Sequence, residues 1–146
     1  MAVPYLACMA LVASLYGLPP RVLPSVQAVE GGRPGSVHDN ADGSQDLGVM
    51  QVNTRWLPAL STYTGLDQSV IRERLIWRPC FNIAAAGAIL RTYLDEARGD
   101  LMQAIGYYHS HSAPLSQKYQ QLVLGAATRL FVHPHSASAA LPPADR

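Results

Sequence analysis

Glycine and proline interrupt this chain so often that it has room only for short helices. Eleven of each are spread over 146 residues. Glycine ends a helix by tolerating left-handed backbone, and proline by lacking an N–H. No run alternates apolar and polar residues over any length, although a short hairpin fits within residues 39–48. The expected class is mainly α, in one domain of ordinary size. Apolar residues make up 49% and charged residues 14%, which is the balance of a folded chain. The net charge is +1 and the basic residues are scattered, so no stripe exists to hold a phosphate backbone. Nucleic acid is therefore not an expected partner.

The first expected helix, residues 5–16, is apolar and is stopped by Gly17-Leu18-Pro19. Residues 1–17 have the apolarity of a signal-peptide core but no Lys or Arg, the first being Arg21, and they are too short to span a bilayer. They read as part of the domain. A second helix is expected over 20–30, its start delayed to about Val22 by Pro24. Residues 31–47 are dense in Gly, Pro, Asn and Asp and read as a long loop, a feature that in compact domains is usually functional. Further helices are expected over 53–60, from an Asp67 cap to 76, over 79–98, over 101–109 and over 115–131. The fourth of these five later segments is punctuated by Gly99 and an Asp100 cap, and 79–98 is the most regular, with Ile83, Gly87, Leu90, Leu94 and Ala97 three or four apart. The Ala-, Ser- and Pro-rich residues 133–146 are expected to be a disordered tail, leaving 1–132 as the domain.

Glu30 closes the second helix with Leu23 and Val26 on its own face. A carboxyl held against an apolar wall resists ionising and keeps its proton near neutral pH, as a general acid must, and it needs no metal to do so. Taken alone, the position also suits an ordinary exposed glutamate. Downstream, Asn40-Ala41-Asp42-Gly43 has the chemistry of a turn, and Gln51 and Asn53 supply amides suited to neutral sugar hydroxyl and N-acetyl groups. Cys8 and Cys80 lie in no metal-binding spacing and leave two readings open: buried free thiols, or one disulfide formed in an oxidising compartment.

Four motifs in order, Glu30-Gly31-Gly32, Gly48-Val49-Met50-Gln51-Val52-Asn53, Asn82-Ile83 and Tyr107-Tyr108-His109-Ser110, resemble the lytic transglycosylase domain of the lysozyme superfamily. The likeness is greatest to the small transglycosylases of secretion, conjugation and pilus systems, and it covers residues 8–131. It implies a lysozyme-like bundle of short helices with a long active-site loop. It also implies peptidoglycan as substrate, no cofactor, and a place in the periplasm or cell envelope beside such an assembly. Glu30 matches the catalytic acid. Asp46, Gly48, Met50, Gln51, Asn53, Tyr108 and His109 fall where sugar-contacting residues are expected. Cys8 and Cys80 match two cysteines that these enzymes commonly carry, which favours the disulfide.

In such enzymes the acid protonates the glycosidic oxygen after N-acetylmuramic acid. It then draws the proton from that sugar's 6-hydroxyl, which closes a 1,6-anhydro ring. Two positions depart from the common pattern: Gly31 stands where many relatives have serine, and His109 where many have asparagine. His109 is expected to be a hydrogen-bonded structural group, and the spacing of His38, His109 and His111 supports no metal site. Asp46 also falls where animal-type lysozyme has its second carboxylate, which would permit hydrolysis. An Asp46 that merely bonds its own loop is the bland alternative. A domain that grips glycan without cutting it is the reading from another class.

Overall fold

The structure is a computed structural model that describes residues 3–132. The expected tail at 133–146 lies outside the described residues. In chain order, the helices are α1 (Leu6–Tyr16), α2 (Val22–Glu30), α3 (Leu57–Thr64), α4 (Gln68–Trp77), α5 (Pro79–Glu96), α6 (Leu101–His109) and α7 (Ala113–Ala127). A small sheet of β1 (Val37–Asp39), β2 (Gln45–Leu47) and β3 (Val52–Asn53) stands between α2 and α3. The expected mainly helical, lysozyme-like class is the observed one.

Helix α5 is the axis of the fold: α1, α4 and α6 pack on it, and α7 closes over α2 and α6. Its fully buried Ile83 and nearly buried Leu90 sit in one core with Met9 of α1, Leu23 and Val26 of α2, and Leu75 of α4. That core recruits α1 firmly, since Met9, Val12 and Ala13 are all buried. No helix among the described residues is long and apolar enough to cross a membrane. Cys8 and Cys80 form a disulfide between α1 and the first turn of α5, with their Cα atoms 5.5 Å apart and a separation of 72 positions in sequence.

Several boundaries differ from expectation for local reasons. Tyr5 takes left-handed backbone (φ 58°), so α1 begins one residue later. Pro24 is the third residue of α2, where an N–H has no helical partner to lose, and α2 does start at Val22. The segment expected as one helix over 53–60 is a 3₁₀ turn, Thr54–Trp56, followed by α3 reaching Thr64. Hydroxyls in its last turn bond back to the preceding one: Thr62 donates to the Pro58 carbonyl at 3.2 Å and Thr64 to that of Leu60 at 2.7 Å. Asp67 occupies the cap position of α4 but makes no capping bond, whereas the Asp100 side chain does accept from the Gln103 N–H at 3.1 Å. Helix α5 stops at Glu96 because Arg98 and Gly99 are both left-handed (φ 55° and 86°). The last helix starts two residues before expectation and ends in a π-turn, Thr128–Val132.

The sheet is larger than one hairpin. β1 pairs with β2 in antiparallel register, Val37 opposite Leu47 and Asp39 opposite Gln45, and β2 pairs with β3, Asp46 opposite Asn53. β1 is exposed throughout, so it has no buried face to leave an alternating pattern. Polar turn chemistry holds it instead. Asn40 N–H donates to the Ser44 carbonyl at 2.9 Å, and Asp42 accepts from the Ser44 N–H at 2.9 Å and from its hydroxyl at 2.6 Å.

Candidate active site

Glu30 is the last residue of α2, and Gly31 turns the chain away in left-handed backbone (φ 66°). Gly32 then presses on the loop after β2, so closely that a Cβ there would lie 2.0 Å from the Gly48 carbonyl oxygen. This contact fixes the end of α2 against the sheet. Behind Glu30, Leu23 and Val26 are fully buried. Loss of water, strengthened by the charge of Asp46 and opposed by a hydrogen bond from Tyr119, pushes the Glu30 carboxyl up to about 7. The Tyr119 hydroxyl of α7 donates to Glu30 Oε2 at 2.5 Å. Burial drives the Tyr119 phenol far above its ordinary range, so it remains a donor whatever the state of the acid.

Glu30 opens into a cavity of about 150 Å³ that Asp46, Gln51, Asn53, Tyr108 and His109 also line. Six of the eight residues expected at a site therefore meet in one place. Gly48 and Met50 do not line it. The Met50 side chain is fully buried in the core. Its backbone serves the site instead, the Met50 carbonyl accepting from the Tyr108 hydroxyl at 2.8 Å. Gly48 is left-handed (φ 69°), and a Cβ would lie 2.0 Å from the Leu75 carbonyl oxygen, so only glycine fits.

Asn53 is saturated. Its amide N–H groups donate to Ser44 Oγ at 3.0 Å and Asp46 Oδ1 at 2.9 Å, while its oxygen accepts from the Arg55 N–H at 2.9 Å and Arg55 Nε at 3.2 Å. With every donor and lone pair engaged, it orients Asp46 and caps the 3₁₀ turn. Gln51 is held left-handed (φ 54°), with Nε2 donating to the Gly48 carbonyl at 3.0 Å. Asn82 supports the floor: its amide donates to the carbonyls of Leu47 (2.7 Å) and Leu75 (2.8 Å), and its oxygen accepts from the Met50 N–H at 2.8 Å.

Among the described residues, the exposed His109 makes no side-chain hydrogen bond, contrary to the expected structural one; its ring lies flat on that of Tyr119, centroids 5.0 Å apart and planes 8° apart. His111 pairs with Glu96 at 2.6 Å, and His38 lies on the exposed strand β1, so the three histidines serve different places. Tyr119 is the residue that sequence reasoning missed. A signal existed: Ser116, Tyr119, Val123 and Ala126 form the buried stripe of α7, and a tyrosine on such a stripe needs a partner for its hydroxyl.

The arrangement is one carboxyl, protonated near neutrality, facing an oxygen-rich pocket beside a second carboxyl. That is the equipment for acid-catalysed cleavage of a glycosidic bond. The transglycosylase SLT domain matches residues 8–122, which include Glu30, the sheet, the Tyr108 motif and Tyr119. The chain belongs to the transglycosylase SLT family. Relatives of this SLT domain include invasion protein IagB of Salmonella typhimurium, strains SL1344 and LT2, and of Salmonella typhi. Each is 28% identical over 82 residues, which is 56% of this chain and 48% of the relative. The SLT domain thus spans about half the length of the curated relatives it matches.

Proposed function

We propose that the protein is a lytic transglycosylase that cuts the β-1,4 bond between N-acetylmuramic acid and N-acetylglucosamine in peptidoglycan, with Glu30 as acid and then base. The observation that carries this reading is the Glu30 carboxyl, pushed to about 7 by burial at the head of the cavity and anchored by Tyr119. Because Tyr119 donates to Oε2, the acid proton resides on Oε1. Transfer of that proton to the glycosidic oxygen leaves a carboxylate, which the same Tyr119 bond stabilises. The carboxylate then removes the proton from the 6-hydroxyl of the muramic sugar, and the hydroxyl oxygen closes on the anomeric carbon. Both steps use one group whose pKa lies near the working pH, the condition for acid–base catalysis by a single residue.

Asp46, held by Asn53 and lining the same cavity, supplies the alternative: hydrolysis of the same bond, with water as the attacking group. A non-catalytic glycan-binding role is the third reading. We place the enzyme in the periplasm or cell envelope, opening the wall for a secretion, conjugation or pilus assembly. The similarity to proteins named for invasion supports that setting.

Digestion of purified peptidoglycan, followed by mass analysis of the released fragments, separates the three. Anhydro-ended fragments, absent with Glu30→Gln, are the expected result. Reducing ends one water heavier would establish hydrolysis, and binding without release, equal in the mutant, would remove the enzymatic reading.

A further inference from the structure

We propose that His109 is a positioning residue, whose ring holds Tyr119 in place so that the Tyr119 hydroxyl stays on Glu30. The proposal rests on the acid role given to Glu30 above and assigns a device to that site which its resemblance to relatives with asparagine here does not. Three observations combine. His109 is exposed and among the described residues has no side-chain hydrogen-bond partner, so what fixes its ring there is packing. The packing is a nearly parallel stack on Tyr119, centroids 5.0 Å apart. Tyr119 itself is 4% exposed and reaches Glu30 with a bond of 2.5 Å from a helix 89 residues further along the chain.

A phenol placed from so remote an element must be held from both sides. The α7 backbone sets one side, and the imidazole at the mouth of the cavity sets the other. An asparagine at 109 offers no ring face for such a stack, and a stacked aromatic pair is stabilised beyond simple area burial. Groups facing this corner from other elements are Asp42 on the β1–β2 turn, Asp46 on β2, Arg55 on the 3₁₀ turn and Glu30 itself on α2, with Tyr108 on the same helix as His109. None of these touches the outer face of Tyr119 in a ring stack, so the cover is His109 alone among the described aromatic pairs.

The test compares His109→Ala with His109→Phe, two neutral substitutions that differ in whether a ring covers Tyr119. The Glu30 carboxyl is followed by NMR titration of protein labelled at its glutamate side-chain carbons, with Glu30→Gln assigning the signal. The expected Glu30 midpoint is at least half a pH unit higher in His109→Ala than in His109→Phe, because the Tyr119 hydroxyl bond that lowers it is lost only in the former. Equal midpoints would overturn the proposal. This readout does not depend on turnover, so it stands apart from the question of whether the protein cleaves glycan.

A second arm uses soluble glycan strands. His109→Ala is expected to lower kcat about tenfold with little change in KM, and to lower it less than twofold when Tyr119→Phe is already present. A rise in KM of equal size in both backgrounds would mean that His109 touches sugar, and the positioning role would be abandoned.

Discussion

At the scale of the residue, Glu30 links the proposed chemistry to stability. Its carboxyl is raised from about 4.5 to about 7, so the folded state prefers the proton. The stability this contributes is complete below pH 4.5 and is lost as pH rises through 7. Glu30→Gln does not titrate, and relative to the wild type it is expected to gain up to about 3 kcal/mol between pH 4 and pH 8. Urea denaturation of both proteins at the two values checks this; a difference that stays constant would mean the acid is not held neutral. Glu30 and its loop were legible in the sequence because they are local: a carboxyl on an apolar helix face, then glycines and amides in close order. Tyr119 was not, because its relation to Glu30 exists only after α7 has docked on α2. Asn53 was read as a sugar ligand since an amide looks the same from the sequence whether its bonds are free or taken.

At the scale of the element, the loop from Leu47 to Met50 depends on one side chain from another helix. Asn82 binds both ends of it and the end of α4 as well, entirely buried and with three bonds. Asn82→Ala is expected to destabilise the fold by about 3 kcal/mol, since two carbonyls and one N–H are left buried and unpaired. It should also reduce glycan cleavage under conditions where the variant is folded, because the Met50 carbonyl that receives Tyr108 loses its anchor. Denaturant midpoints and fragment release read the two effects, and a loss under 1 kcal/mol would show that water replaces the amide. The helices themselves were visible from apolar spacing and caps, with α6 matching at both ends. The sheet was half visible. Its strands are two or three residues long and are held by Asn40, Asp42 and Ser44 bonds, which leave a turn signature but no alternation.

At the scale of the molecule, the Cys8–Cys80 bond joins α1 to the central helix and encloses the acid, the sheet and α3 within one covalent ring. Closing a loop of 72 residues restricts the unfolded chain by an amount on the order of 4 kcal/mol. Replacing both cysteines by serine is expected to lower Tm by roughly 15 °C for a domain of this size. A scanning calorimetry shift under a few degrees would place the stability elsewhere. The ring excludes α6 and α7, so Tyr108, His109 and Tyr119 reach the site from outside it. This division has a consequence for the timing of synthesis. A chain made from its N-terminus presents Glu30 long before the hydroxyl that orients it exists, 89 residues later. No nascent fragment ending short of α7 contains the assembled acid, and the arrangement around Glu30 forms only once the chain has been made past Tyr119.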